Sequence, residues 1–408
     1  MRIKAMDNIS QMNKQILTDA LLANLNWFEN SGIMVPDSGM WGVAERVALK
    51  GNNSMEKIYS SFPAWTEFDS YSVIEQRRAD CNFEAALLFL LASEVLKVTK
   101  YREIADNILD FLYFRSGMLN RFPSDKTMHG SWYWSHINKS IWFDDNSWSC
   151  IIPLLISEKY PELDRKYELK KWGLILADSI AAAFKTHFQI QEGFQPAWSG
   201  NLKLPHWGSL VCMALSKAYA VLPDPEYREV IDLYQTHLDE SKDTFIASEQ
   251  AYAMLGSSCC YSALKDDKFK QIAEFFGDKL IKRMDQDTGN LPAEHYEAPT
   301  GTNLVDTIYT VNWALLGFHN LHAASGKDEY RDAFLKILKL LVRIQDKSSE
   351  KHVRGCWRGM YDLEVDAWGG GDCYEGGANS IYTGWTNAPI AFCIVLELLR
   401  DSINNRPE

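Results

Sequence analysis

The chain has 408 residues, 46% hydrophobic and 24% charged, which is ample for a buried core and unlike a disordered protein. Its formal net charge of −12 argues against binding along a nucleic-acid backbone, because that contact needs clustered Lys and Arg. No apolar run reaches the roughly 20 residues that a membrane span requires.

The N-terminal segment lacks the apolar stretch and cleavage site of a secretory signal, and we expect a cytoplasmic protein or the processed form of an exported one. The eight cysteines show no CxxC spacing, and several lie in apolar helical runs. We therefore expect neither disulfides nor a metal site, and no cofactor.

Helix-forming stretches alternate along the chain between an amphipathic type and a more apolar type. The amphipathic stretches lie near residues 14–29, 101–116, 168–187, 226–239, 267–284 and 329–345. The apolar stretches lie near residues 80–97, 144–157, 206–221, 249–263, 306–324 and 382–400. A helix that is apolar nearly all round must be buried nearly all round. The pattern predicts an all-α toroid of twelve helices, an inner ring of six within an outer ring of six, formed by residues 1–408 as one domain.

The two ends of this toroid are predicted to differ. Each apolar helix leads to the next amphipathic one through a short segment with an aromatic residue among charges, such as KYRE (100–103) or EYRD (329–332). The opposite connections are long and rich in Trp, Tyr and Gly; they cover residues 30–79, 117–142, 188–205, 285–305 and 346–381. Long, ordered loops of this kind are usually functional. We therefore expect the site at the end of the toroid where the apolar helices begin.

The segment SWYWSHINKSIWFDDNSW (131–148) places Asp144 and Asp145 after aromatic residues at the start of an apolar helix. With the alternating helices, this segment resembles the six-hairpin glycosidases, and the resemblance covers most of the chain. The Asp-Asp pair is similar to that of toroidal α-mannanases, and aspartates at inner-helix starts also serve the unsaturated uronyl hydrolases of this superfamily. The resemblance implies an (α/α)6 toroid and a glycoside hydrolase.

Asp144 and Asp145 are the first catalytic candidates, because glycoside hydrolysis generally needs one carboxylic acid at the glycosidic oxygen and a second carboxylate. The alternative is that Asp144 only caps its helix. The second carboxylate could also come from the glycine-rich segment 355–391, where we select Asp366, Asp372 and Glu375. The alternative there is that these acids cap local turns.

Other residues at the same end combine flat rings, which suit the C–H faces of a sugar, with groups that bond hydroxyls. The candidates for substrate binding are Asp80, Trp134, Trp142, His206, Trp207, Glu294, His295, Trp357, Arg358, Tyr382 and Trp385. The alternative for each is a packing or capping role. Four arginines at the same end could bind a sugar carboxylate or pair with nearby acids, which leaves the charge of the substrate open: Arg77, Arg78, Arg354 and Arg358.

The sequence therefore favours a glycoside hydrolase that acts on a small or terminal sugar unit. The alternatives are a sugar epimerase or isomerase, which would use paired histidines, and a polysaccharide lyase with Tyr296 or Tyr382 as base. A non-catalytic carbohydrate-binding protein is a further alternative. The partner is a carbohydrate in every case, and the sugar, the linkage and the oligomeric state stay open.

Overall fold

The computed structural model describes residues 13–50, 62, 64–188, 197–294, 300–370 and 375–399. Six helices of this part of the chain form an inner ring: α2 (Ala79–Leu96), α4 (Phe143–Lys159), α7 (Pro205–Val221), α9 (Ala247–Leu264), α11 (Val311–Ser325) and α13 (Ala388–Leu399). Each packs against the next in this order, and α13 packs against α2. The inner ring is therefore closed.

Six further helices form the outer ring: α1 (Lys14–Asn30), α3 (Thr99–Asp110), α6 (Leu169–Phe188), α8 (Pro225–Ser241), α10 (Asp267–Arg283) and α12 (Asp328–Ile344). The helices α3, α6, α8, α10 and α12 each pack on the inner helix that precedes them, and α1 packs on α13. The predicted twelve-helix toroid is confirmed. A thirteenth helix, the short α5 (Pro161–Tyr167), lies in the connection between α4 and α6.

The helices of the two rings differ in how much of their surface is buried. In α12, the buried residues Tyr330, Phe334, Leu338 and Leu341 recur at helical spacing, which is typical of a helix with one apolar stripe. In α4, every residue from 143 to 154 is buried. This contrast explains why hydrophobic periodicity alone separated inner from outer helices.

Short turns close one end of the toroid. Residues 97–98 join α2 to α3, residues 265–266 join α9 to α10, and residues 326–327 join α11 to α12. Lys97, Lys265 and Gly326 adopt left-handed backbone conformations there, as is common where a helix ends in a tight turn. The predicted difference between the two ends is confirmed.

Two small antiparallel sheets lie in the long connections, where the all-α prediction had placed only loops. The first has the order β2-β3-β1-β7, from β1 (Arg46–Leu49), β2 (Trp65–Glu67), β3 (Tyr71–Ile74) and β7 (Ser380–Tyr382). The second has the order β4-β5-β6, from β4 (Leu304–Asp306), β5 (Met360–Asp362) and β6 (Ala367–Trp368). Strands this short show too little alternation for a sequence pattern to reveal them.

These strands also correct the start of two inner helices. The apolar stretch predicted at 306–324 begins as a helix only at Val311, because Asp306 ends β4 and its side chain accepts the backbone N–H groups of Ile308 and Tyr309. The stretch predicted at 382–400 begins with the end of β7 and a π-helical turn, Thr383–Asn387, before α13. Among the described residues, no helix combines the length and apolar character that a membrane span needs.

Candidate active site

A cavity of about 350 Å3 lies at the starts of several inner helices. Its lining combines two aspartates, a histidine, an arginine and four tryptophans: Arg78, Trp134, Trp142, Asp144, Asp145, His206, Trp207, Ile308, Tyr309, Glu375, Tyr382 and Trp385. The structure thus brings together ten of the residues that the sequence suggested for the site, including Arg78. All of them lie at the end of the toroid that carries the long connections.

Asp144 and Asp145 are consecutive residues in the first turn of α4, but their carboxyl groups meet different partners. Asp144 Oδ2 lies 3.2 Å from Nε2 of His206, in the first turn of α7. Asp145 Oδ1 accepts a hydrogen bond from Arg78, which precedes α2. Consecutive helical residues point about 100° apart, so the two carboxyl groups face the two inner helices on either side of α4. The N-cap of α4 is Trp142, so Asp144 is not merely a helix cap.

The surroundings move the pKa values of these two carboxyl groups in opposite directions. Burial raises the pKa of Asp145 well above its usual range, and the nearby charges of Asp80 and Asp144 add to this effect. Burial also opposes ionisation of Asp144, but the hydrogen bond and charge of His206 outweigh it and lower the pKa of Asp144. Asp145 therefore keeps its proton to a higher pH than Asp144, and Asp144 is the carboxyl group that ionises more readily.

Arg78 is shared among three carboxyl groups, and burial outweighs its charge, which by itself would lower the pKa of Asp145. Its Nε and Nη2 donate to Asp80 at 3.2 and 2.7 Å, and its Nη1 donates to Glu45 at 3.2 Å. Trp385 Nε1 also donates to Asp80, at 2.7 Å, and helps to hold the Asp80 carboxyl group in place. Asp80 in turn positions Arg78 in the cavity wall. Arg78 supplies positive charge at these carboxyl groups. Among the described residues, no cluster of His, Cys, Asp and Glu side chains could hold a metal ion.

His206 is held in place on several sides. Its ring stacks on Trp207 and Tyr252, with ring centres 4.4 and 4.8 Å apart. Its backbone N–H donates to Glu249 Oε2 at 2.7 Å, in the first turn of α9. These contacts fix the side of the imidazole that faces Asp144.

Aromatic rings form much of the cavity wall. Trp134, Trp142 and Trp207 are half-buried and leave part of each ring accessible. The Tyr382 hydroxyl donates to Glu375, and the face of its ring lies 3.8 Å from the guanidinium carbon of Arg46. Flat, partly exposed rings beside carboxyl groups can stack against a sugar while its hydroxyls are hydrogen-bonded.

Two acidic residues that the sequence suggested do not reach this cavity. Asp366 is exposed and makes contacts of 2.9 Å with Arg343 and with the Tyr361 hydroxyl. Glu294 accepts the backbone N–H of Ala247 at 3.0 Å and so caps the start of α9. Both positions match the alternative of local capping and pairing rather than a place in the site.

Trp357 and Arg358 also lie away from the cavity. Trp357 is fully buried, and its Nε1 donates to the Leu341 carbonyl at 2.8 Å. Arg358 pairs with Asp346 at 2.7 Å. The remaining candidates Asp372 and His295, together with Tyr296, lie outside the described residues.

Sequence reasoning missed several residues around the cavity. Glu45 directly precedes β1 and Arg46 begins it, and this strand reaches the site because Arg46 pairs in register with Tyr382 of β7. Tyr309 comes from the turn after β4. No sequence signal points to these residues, because their place depends on strand pairing between distant parts of the chain.

No protein-family model matches the chain, and no characterised protein matches it by sequence. Solved structures do match. The chain has the (α/α)6 toroid fold. Cellobiose 2-epimerase from Bacillus thermoamylovorans is 14% identical with a TM-score of 0.57, over 92% of this chain and 99% of that one. An unsaturated glucuronyl hydrolase from Streptococcus agalactiae is 15% identical with a TM-score of 0.58, over 99% of both chains.

A D-mannose isomerase is similar to the same degree, with 12% identity and a TM-score of 0.58 over 97% of this chain and 99% of that one. The match extends over 99% of each of these three neighbours. The whole toroid is therefore shared, including the closure of the inner ring. Identities this low show the fold and leave the reaction to be argued from the site.

Proposed function

We propose that this protein is a glycoside hydrolase that removes a small or terminal sugar unit, with Asp145 as general acid and Asp144 as the second carboxylate. The observation that carries the proposal is that two carboxyl groups line one cavity with different partners, Asp144 with His206 and Asp145 with Arg78. Their surroundings move the two pKa values in opposite directions. Such divergence is the usual way in which a site assigns the acid and base roles at one pH.

The proposed reaction uses each group in the form that its surroundings favour. Protonated Asp145 donates its proton to the glycosidic oxygen as the bond to the sugar breaks. Ionised Asp144, held by His206, stabilises the positive charge that develops on the sugar ring and accepts the proton of the attacking water. The proton lost from Asp145 leaves with the released alcohol, while Asp144 holds the proton taken from water. Before the next cycle Asp144 must lose this proton and Asp145 must gain one.

The cavity wall and the structural neighbours support a carbohydrate substrate. Trp134, Trp142 and Trp207 offer partly exposed rings around the carboxyl groups, which suits a pyranose. The neighbours named above are an epimerase, a hydrolase and an isomerase of sugars. A sugar is the one substrate type that these proteins have in common.

The test is hydrolysis of aryl glycosides and of oligosaccharides with saturated or unsaturated uronyl ends, followed by product masses. We expect Asp145→Asn and Asp144→Asn each to lower kcat/KM by about 10²–10⁴-fold, the usual contribution of acid–base catalysis. Asp366→Asn is the matched control, because Asp366 is exposed and away from the cavity. Near-normal turnover in both site variants, with all three proteins folded, would rule out the assignment.

The second candidate is a sugar epimerase or isomerase, which the contact between His206 and Asp144 favours, because a histidine held by a carboxylate can act as a base. Against it, His206 is the only histidine lining the cavity among the described residues, whereas the epimerase prediction relied on a pair. Incubation of free sugars in D2O separates the two. An epimerase conserves the mass of the carbon skeleton and incorporates deuterium next to the carbonyl, whereas a hydrolase releases two products.

A further inference from the structure

Arg78, the arginine that lines the cavity, is occupied by carboxyl groups of the protein. It donates from Nε and Nη2 to Asp80, at 3.2 and 2.7 Å. Its Nη1 donates to Glu45 at 3.2 Å, and its Nη2 also contacts Asp145. All three guanidinium nitrogens therefore have acidic partners. A sugar carboxylate could form a forked contact with Arg78 only by displacing one of them.

Arg46, the second arginine beside the cavity, is occupied in the same way. Its Nε donates to Glu45 at 3.2 Å, and its Nη1 lies 3.4 Å from Glu375 Oε2 and 3.1 Å from Ser380 Oγ. The Tyr382 ring covers the guanidinium group at 3.8 Å. Only 4% of the Arg46 side chain is exposed, so it presents little surface to a ligand.

Among the described residues around the cavity, carboxyl groups outnumber guanidinium groups. Two arginines, Arg46 and Arg78, stand among Glu45, Asp80, Asp144, Asp145 and Glu375. Even when Asp145 is left out of the count, the acids exceed the arginines by four to two. Protonation of His206 would offset only one of these charges. A bound ligand therefore lies in a negative electrostatic potential. This potential opposes the binding of a ligand that carries a negative charge.

Resting on the proposed function, we propose that the sugar unit bound in this cavity is uncharged and that the site rejects the corresponding uronic acid. The hydroxyls of a neutral sugar can donate to Asp144 and Glu375, and its C–H faces can stack on the tryptophans. A sugar carboxylate would be repelled by the same acids and would find both arginines paired. This preference would separate the protein from the glucuronyl hydrolases that share its fold, because a glucuronyl group carries a carboxylate.

The first test compares matched pairs of aryl glycosides that differ only at the sugar C6: glucoside and glucuronide, galactoside and galacturonide, mannoside and mannuronide. For the sugar that the enzyme accepts, we expect kcat/KM of the neutral member to be higher by on the order of 10- to 100-fold, as a like charge within a few ångströms implies. The same free sugars and uronic acids are titrated against the wild-type protein, with tryptophan fluorescence as the readout. This binding measurement does not depend on turnover.

The second test changes the charge of the site. Glu375→Gln removes one carboxylate from the cavity wall, and we expect the preference for the neutral sugar over its uronic acid to fall by about 10-fold or less. Glu364→Gln is the matched control, because Glu364 is exposed beyond β5, away from the cavity. The control should keep the wild-type preference.

The outcomes distinguish this inference from the proposed hydrolysis. Binding of a neutral sugar without turnover of any glycoside would overturn the hydrolase and support the neutral-sugar site. Equal or tighter binding of the uronic acid, or equal turnover of both members of a pair, would overturn the neutral-sugar site. Failure of every neutral sugar to bind would overturn it as well.

Discussion

At the scale of single residues, the central feature is that neighbours in sequence need not share an environment. Asp144 and Asp145 are adjacent, yet one meets the imidazole of His206 and the other meets Arg78. Their side chains leave α4 in different directions, one toward the start of α2 and the other toward α7. Each of these neighbouring elements supplies a different partner. The pKa values of two like residues are thereby moved in opposite directions.

The pH dependence of activity should report these two pKa values. Because the pKa of Asp144 is lowered, kcat/KM should fall only at strongly acid pH, where Asp144 gains a proton. Because the pKa of Asp145 is raised, kcat/KM should fall again on the alkaline side, where Asp145 loses its proton. The His206→Gln variant loses the hydrogen bond and charge that lower the pKa of Asp144, so its acid limb should move to higher pH.

The control for this pH prediction is His322→Gln, which changes a histidine at the far end of α11 whose Nδ1 lies 3.0 Å from the carbonyl of Lys327. Its pH profile should match that of the wild type. An acid limb that stays in place in His206→Gln would show that Asp144 is not the group that titrates there.

At the scale of elements, the site depends on how closely α13 approaches α2. The π-helical turn Thr383–Asn387 carries Trp385 into the cavity and passes over the first turns of α2. Gly384 lies at the closest point. A Cβ atom there would stand 2.6 Å from the Cys81 Cα and 2.3 Å from Glu84 Oε2. Only glycine leaves room for this approach.

Gly384→Ala should therefore destabilise the protein, by about 1–3 kcal/mol as is typical of overpacking, because the contacting Cα atom belongs to helix backbone. It should also lower activity, since Trp385 and Asp80 would separate. Gly369→Ala is the matched control, because the nearest atom to a Cβ there is 3.9 Å away. Chemical denaturation and kcat/KM of both variants check the prediction, and equal stability of the two variants would contradict it.

At the scale of the whole molecule, the two ends of the described chain close the toroid together. Asn24 of α1 donates to Asn387 Oδ1 at 2.9 Å and to the Gly355 carbonyl at 3.1 Å. Asn387 in turn donates to the carbonyls of Trp357 and Tyr382, at 3.0 and 2.6 Å. This buried group of hydrogen bonds ties the first outer helix to the turn before the last inner helix.

Asn387→Ala should lower the free energy of unfolding by about 1–3 kcal/mol for each polar partner left buried and unsatisfied. Asn26→Ala, on the exposed side of α1, is the control and should change stability little. The measurement is the unfolding midpoint followed by both far-UV and tryptophan signals. Similar unfolding midpoints for both variants would mean that the ring closes without the hydrogen bonds of Asn387.

The alternation of helices, the difference between the two ends of the toroid and the place of Asp144 and Asp145 at its open end could all be predicted from the sequence. These properties are local: a stripe or an absence of polar residues along one helix shows how many of its sides are buried. Two aspartates at the start of an inner helix lie at the open end wherever the rest of the ring is placed. The sequence determined this much by itself.

Only the tertiary structure decided which polar groups meet. Asp366, Glu294 and Arg358 have suitable side chains at a suitable end, yet they make pairs and caps outside the cavity. Arg46 reaches the site through strand pairing across most of the chain, and Arg78 proved to be shared among carboxyl groups. Residue type determines what a side chain can do, whereas its direction, burial and neighbouring charges set its pKa and its partners, and these arise only when distant segments pack.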